Sequence, residues 1–142
     1  MTDYAVFWGC TIQARFPFME KSVRLVADTL EIRLHEIEGT TCCPTKMIKT
    51  GDEFIWYVTA ARNLALVEEM GRDLVTPCNG CYGTLKLAAS ELNLNTELRT
   101  RVNELLANAG LEYKGTIGVK HLIEVLYDDI GTDAIKKHVT RP

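Results

Sequence analysis

The side chains best equipped for chemistry in this sequence are five cysteines, at positions 10, 42, 43, 78 and 81. As a pattern they read C-x31-CC-x34-C-x-x-C. The closing pair, Cys78 and Cys81, lies in "TPCNGCYG", residues 76–83, around a turn-like Asn-Gly. Redox disulfides, zinc knuckles and iron–sulfur sites all use C-x-x-C, so that stretch alone does not choose among them. Cys10, Cys42 and Cys43 narrow the choice. Cytosolic thiols are kept reduced, and there a cysteine pattern points to metal binding or catalysis before structural disulfides. Five is also an odd number, which leaves a full disulfide framework one partner short.

The remaining composition is that of an ordinary globular chain. Its 142 residues, 46% of them hydrophobic, are enough for one domain over residues 1–142 with a substantial core. The net charge of −3 is small, and no run of Lys or Arg is interleaved with aromatics, which argues against nucleic acid as a partner. The opening "MTDYAVFWGC" has neither a basic n-region nor a long apolar h-region, and no apolar stretch reaches the ~20 residues of a bilayer span. The expected location is the cytoplasm. No Ser-His-Asp arrangement, paired carboxylates or phosphate-cradling glycine loop stands out.

The cysteines need elements to hold them, and periodicity supplies alternating strands and helices. "YAVFWG" (4–9) reads as a buried strand, and after Pro17 "FMEKSVRLVADTL" sets Val23, Val26 and Leu30 at helical spacing. "RLHEIEG" (33–39) alternates as a second strand. The clearest helix is "TGDEFIWYVTAARNLALVEEMG", apolar nearly all round and therefore buried on more than one side. Thr50 and Glu53 have capping-box spacing, Asp52 competes as the cap, and Gly71 stands where a terminating glycine belongs. "RDLVTP" (72–77) is a third strand, followed by a helix from about Gly83 and another with Leu98, Val102, Leu105, Leu106 and Ala109 on one face, between Asn95 and Gly110. "TIGVKH" (116–121) makes a fourth strand before the helix "LIEVLYDDIG".

This alternation predicts an α/β fold: a four-stranded, mostly parallel sheet with helices on both faces, in a flavodoxin/Rossmann-like order. Every cysteine then falls just past the C-terminal end of a strand, the edge where open α/β sheets bind ligands. Buried cysteines used only as small apolar fillers would be scattered instead. Asn79-Gly80 supplies two residues tolerant of unusual backbone angles, and the start of the next helix favours thiolate. Adjacent side chains of an extended chain point opposite ways, so Cys42 and Cys43 serve one site only if the segment bends, consistent with Pro44. A structural zinc site takes four ligands, commonly from two knuckles, whereas this chain has one C-x-x-C and a contiguous pair. A thioredoxin-like dithiol has no use for three further cysteines. A cubane cluster uses four thiolates, so five on one edge fit an unusual cluster better.

The motif, with "GC" after the first strand, "CCP", "PCNGCYGTLK" and "VKHLIEVL", resembles the cysteine-rich CCG domain of the heterodisulfide reductase B-type subunit over the whole chain. The resemblance implies a non-cubane [4Fe–4S] cluster held by Cys10, Cys42, Cys43, Cys78 and Cys81. It implies a second CCG domain as partner, this chain being the N-terminal half of a two-domain subunit, to which the ending "VTRP" adds support. It also implies two electron suppliers, a ferredoxin-like C-type subunit fed by a flavin-bearing A-type subunit, and the coenzyme M–coenzyme B disulfide as substrate. A single domain would then be one half of the active site, not active alone. Related subunits serve glycolate or lactate oxidation and thiol–fumarate reduction, and a zinc-stabilised or metal-free docking domain is the competing class. Gly9 would let backbone approach the cluster and, with His121, is a candidate for lining the substrate pocket. His121 either lines the substrate pocket or caps its own helix. Trp8, Tyr82 and His35 read as packing or surface residues.

Overall fold

The computed structural model describes residues 2–141. Four strands, β1 (Thr2–Val6), β2 (Ile32–Glu36), β3 (Asp73–Thr76) and β4 (Val119–His121), lie in the order β2-β1-β3-β4. All three pairings are parallel, so the expected flavodoxin-like order holds and the sheet is wholly parallel. From β1 the chain passes first to β2 on one side and later to β3 on the other. Such a reversal opens a crevice beyond the C-terminal ends of the two central strands.

The helices are α1 (Gly9–Arg15), α2 (Pro17–Thr29), α3 (Lys46–Gly51), α4 (Glu53–Glu69), α5 (Asn79–Leu94), α6 (Thr96–Leu106), α7 (Leu122–Glu124) and α8 (Thr132–Lys136). A π-helical turn, Val125–Ile130, continues α7. Alternation along β1 feeds two cores. Ala5 and Phe7 join Leu74 and Val119 under α4, α5 and α6, while Tyr4, Val6 and Trp8 join Ile32 and Val75 under α1, α2 and α7. Burial on both faces is why the central strands read as continuous apolar runs. No helix among the described residues is long and apolar enough to cross a membrane.

Three local readings change. On α2, Val23 and Leu30 pack inward as expected, but Ala27 is buried and Val26 is 40% exposed. On α6, Val102 and Leu106 are buried whereas Leu105 is 44% exposed. The short helices α1 and α3 were not expected, because neither has a side-chain cap or more than two turns of pattern.

α4 is buried on several sides, as its composition requires. The contest for its cap goes to Asp52, whose Oδ1 accepts the Ile55 N–H at 3.0 Å. Thr50 lies within α3, and its hydroxyl donates to the Met47 carbonyl at 2.8 Å. At the far end Gly71, at φ +63°, donates its N–H to the Glu68 carbonyl at 2.9 Å. Asp52→Ala should therefore lower stability by about 1 kcal/mol in urea unfolding, while Thr50→Ala stays within about 0.5 kcal/mol of the parent.

Candidate functional site

Each cysteine is carried by the segment that leaves a strand. Past β1 the chain turns at Gly9, at φ +74°, and Cys10 enters the first turn of α1. Past β3 it passes into α5, with Cys78 at the N-cap and Cys81 in the first turn. The Cys78 N–H donates to Thr76 Oγ1 at 3.2 Å, which ties the cap to the end of its strand. The unpaired N–H groups and positive dipole end of α5 favour thiolate at this point. α5 begins at Asn79, four residues before the expected start. Asn79 and Gly80 are thus ordinary helical residues, and Gly80 has no positive φ. Helix geometry, with the cap one turn from the third residue, brings Cys78 and Cys81 together rather than unusual backbone angles.

Cys42 and Cys43 lie in residues 37–45, which form neither helix nor strand. Their side chains diverge, and each meets a different partner. Cys42 Sγ is 3.8 Å from Cys10 Sγ, and Cys43 Sγ is 3.1 Å from Cys81 Sγ. Gly9 completes the cradle, because a Cβ built on it would stand 2.6 Å from Cys81 Sγ. All five cysteines line one cavity of about 450 Å³ with Thr11, Thr45, Lys46 and Thr84 among its walls, and no carboxylate among the described residues lines it.

Crowding governs the protons here. Burial, with the Cys10 thiol alongside, pushes Cys42 up to about 11. The shared contact with Cys43 and then burial push Cys81 up, while the same contact holds Cys43 below the ordinary thiol value. A bound cation would displace these protons, since metal ligands must be thiolates. Among the described residues no three His, Cys, Asp or Glu side chains gather round one point where a single ion would sit. The sulfurs form two close pairs instead, with Cys78 beside Cys81.

A family model described as a cysteine-rich domain matches residues 4–86, a span that holds all five cysteines. The chain belongs to the cysteine-rich CCG domain family. Along its whole length this CCG domain is 40% identical to the B subunit of the ferredoxin/F420H2-dependent CoB–CoM heterodisulfide reductase of Methanosarcina acetivorans, covering 48% of that protein. Over 99% of its length it is 33% identical to the 8-methylmenaquinol:fumarate reductase membrane anchor subunit of Wolinella succinogenes, again covering 48%. The CCG domain thus spans about half the length of the curated relatives it matches. A crystal structure of a hypothetical protein from Helicobacter pylori superposes with a TM-score of 0.79 at 21% identity, over 89% of this chain and 25% of that one. That likeness supports the fold.

His121 does not line the cysteine cavity of the CCG domain. It caps α7, its Nδ1 accepting the Ile123 N–H at 3.1 Å and its own N–H donating to Glu124 Oε2 at 2.8 Å. The Tyr82 ring stands edge-on to it at 5.5 Å, and Tyr82 donates its hydroxyl to Glu124 at 2.9 Å. Trp8 is core, and His35 pairs with Asp3 at the sheet edge at 3.0 Å. Two residues without any motif of their own hold the doublet's loop: Asn63, hydrogen bonded to Thr41 and Cys42, and Trp56, hydrogen bonded to Pro44. The available signal for the first is an amide within the apolar stretch of a helix that is apolar nearly all round.

Gly9 and Gly71 offer a controlled comparison, both having positive φ but only Gly9 facing a sulfur. Each change to Ala should cost about 1–2 kcal/mol of stability from the left-handed backbone alone. Gly9→Ala should in addition weaken metal binding roughly 10–100-fold, measured as metal retained after anaerobic desalting, and Gly71→Ala should not.

Proposed function

We propose that this CCG domain is an iron–sulfur redox module of a disulfide reductase, acting as in the B-type subunit of CoB–CoM heterodisulfide reductase. The observation that carries the reading is the set of five sulfurs on one cavity, in two close pairs with Cys78 alongside. Five thiol donors are too many for one tetrahedral ion and suit a group of several irons.

The residues fit such a group. Cys10, Cys42, Cys43, Cys78 and Cys81 would ligate a non-cubane [4Fe–4S] cluster. Gly9 leaves backbone-close space beside Cys81, where any side chain would collide. Lys46 and the start of α5 offset negative charge gathered in the cavity. Bound there, a cluster supplies one-electron transfer, which the reductive splitting of a disulfide into two thiols requires twice over. The partners under this reading are a second CCG domain, in the same polypeptide or another chain, and ferredoxin-like and flavin subunits that deliver electrons. The match to a protein named for fumarate reduction supports a second reading, an electron-transfer module serving a different substrate. The ligand set is the same in both.

Anaerobically purified protein should contain about four irons and four sulfides per chain and give an atypical EPR signal when oxidised. Cys43→Ser should lose or rearrange the cluster, because a five-thiolate site has no spare ligand. Zinc alone in anaerobic material, unaffected by that substitution, would overturn the reading.

A further inference from the structure

A cysteine doublet poses a mechanical problem. Consecutive side chains tend to opposite sides of the backbone, so each sulfur needs its own restraint on the segment to keep it turned toward its partner. Here Cys42 must meet Cys10 while Cys43 meets Cys81, from a loop with no helical or sheet ladder of its own. Something else has to fix the rotation of that backbone.

α4 supplies it. Asn63 is 0% exposed, and its Oδ1 accepts the Thr41 N–H at 2.9 Å while its Nδ2 donates to the Cys42 carbonyl at 3.4 Å. Trp56, also 0% exposed, stands seven residues earlier, two turns back on the same stripe of the helix. Its Nε1–H donates to the Pro44 carbonyl at 2.9 Å. Asn63 thus grips the backbone on either side of Cys42, and Trp56 grips it just past Cys43. The packing of α4 gives no reason for the amide, since Ala60, Leu64 and Val67 on the same helix are equally buried and apolar. A fully buried amide is costly unless bonded, and the loop holding Cys42 provides both kinds of partner, an N–H and a carbonyl.

We propose that Asn63 and Trp56 are positioning residues for the cysteine site, Asn63 setting Cys42 toward Cys10 and Trp56 setting Cys43 toward Cys81, each separately. The proposal rests on the five-cysteine reading of the site but not on what the site binds, so it is tested without iron. The full 142-residue chain is stripped of metal, reduced, treated briefly with diamide, and its disulfides are mapped by proteolysis and mass spectrometry. Two thiols then lose two electrons and two protons to diamide, which becomes the hydrazine. The parent should form Cys10–Cys42 and Cys43–Cys81 and leave Cys78 free. Asn63→Leu, which removes both bonds of the amide to the loop backbone, should reduce the Cys10–Cys42 product at least about tenfold and spare Cys43–Cys81. Trp56→Phe should do the reverse, with the circular dichroism of both variants unchanged. Other pairs in the parent, no change in either variant, or an equal loss of both pairs in each would overturn the proposal. If Asn63→Leu does not fold, Trp56→Phe decides alone: loss confined to Cys43–Cys81 supports the assignment, and any other pattern contradicts it. Because no iron is present, failure here is distinct from failure of a cluster to assemble.

Discussion

Burial penalises a thiolate, and neighbouring thiolates penalise one another, so sulfurs gathered in one cavity are held there against their electrostatics. The effect is visible in this domain, where burial and thiol neighbours push Cys42 up to about 11. At the close Cys43–Cys81 contact, 3.1 Å, the Cys43 neighbour and burial likewise push Cys81 up. A cation relieves all of these penalties together. Under the proposed function, the rest of the fold is what keeps five sulfurs close enough for a cation to relieve them.

The parallel sheet does most of that work. In β2-β1-β3-β4 order, the exits of three strands come up side by side, and each exit is the attachment point of one cysteine segment. Hydrogen bonds across the sheet continue one step past β1, from the Phe7 N–H to the Val75 carbonyl at 2.9 Å, so the segments bearing Cys10 and Cys78 leave from a shared, rigid base. Cores on both faces fix that base, and α4 reaches over from one of them to the loop of the doublet.

Most of the framework was legible because its signals are local. Apolar strands, a long apolar helix and Pro or Gly punctuation need no tertiary context, and they suffice to put all five cysteines on one edge. What stayed hidden depends on contacts between segments. The division of labour between Cys42 and Cys43 follows from where Cys10 and Cys81 end up, which no spacing reveals. The Asn-Gly pair reads as a turn from its residues, yet Cys78, two residues past the end of β3, caps the helix directly, which absorbs both residues into its first turn. By residue type and position, His121 is equally fit to cap a helix or to line a pocket. The direction of its ring, with Nδ1 toward the Ile123 N–H, makes it a cap. Asn63 and Trp56 gave no motif at all, because their partners are backbone groups of a loop far away in sequence.

The proposed function depends most on the five sulfurs addressing a single inorganic core. Crystals grown anaerobically from iron-loaded protein, with anomalous data on either side of the iron absorption edge, measure this directly. The expected result is iron peaks within one contiguous cluster, with the sulfurs of Cys10, Cys42, Cys43, Cys78 and Cys81 each bonded to iron. Iron bound by Cys78 and Cys81 alone, or peaks that leave Cys10 or either member of the doublet unbonded, would contradict it.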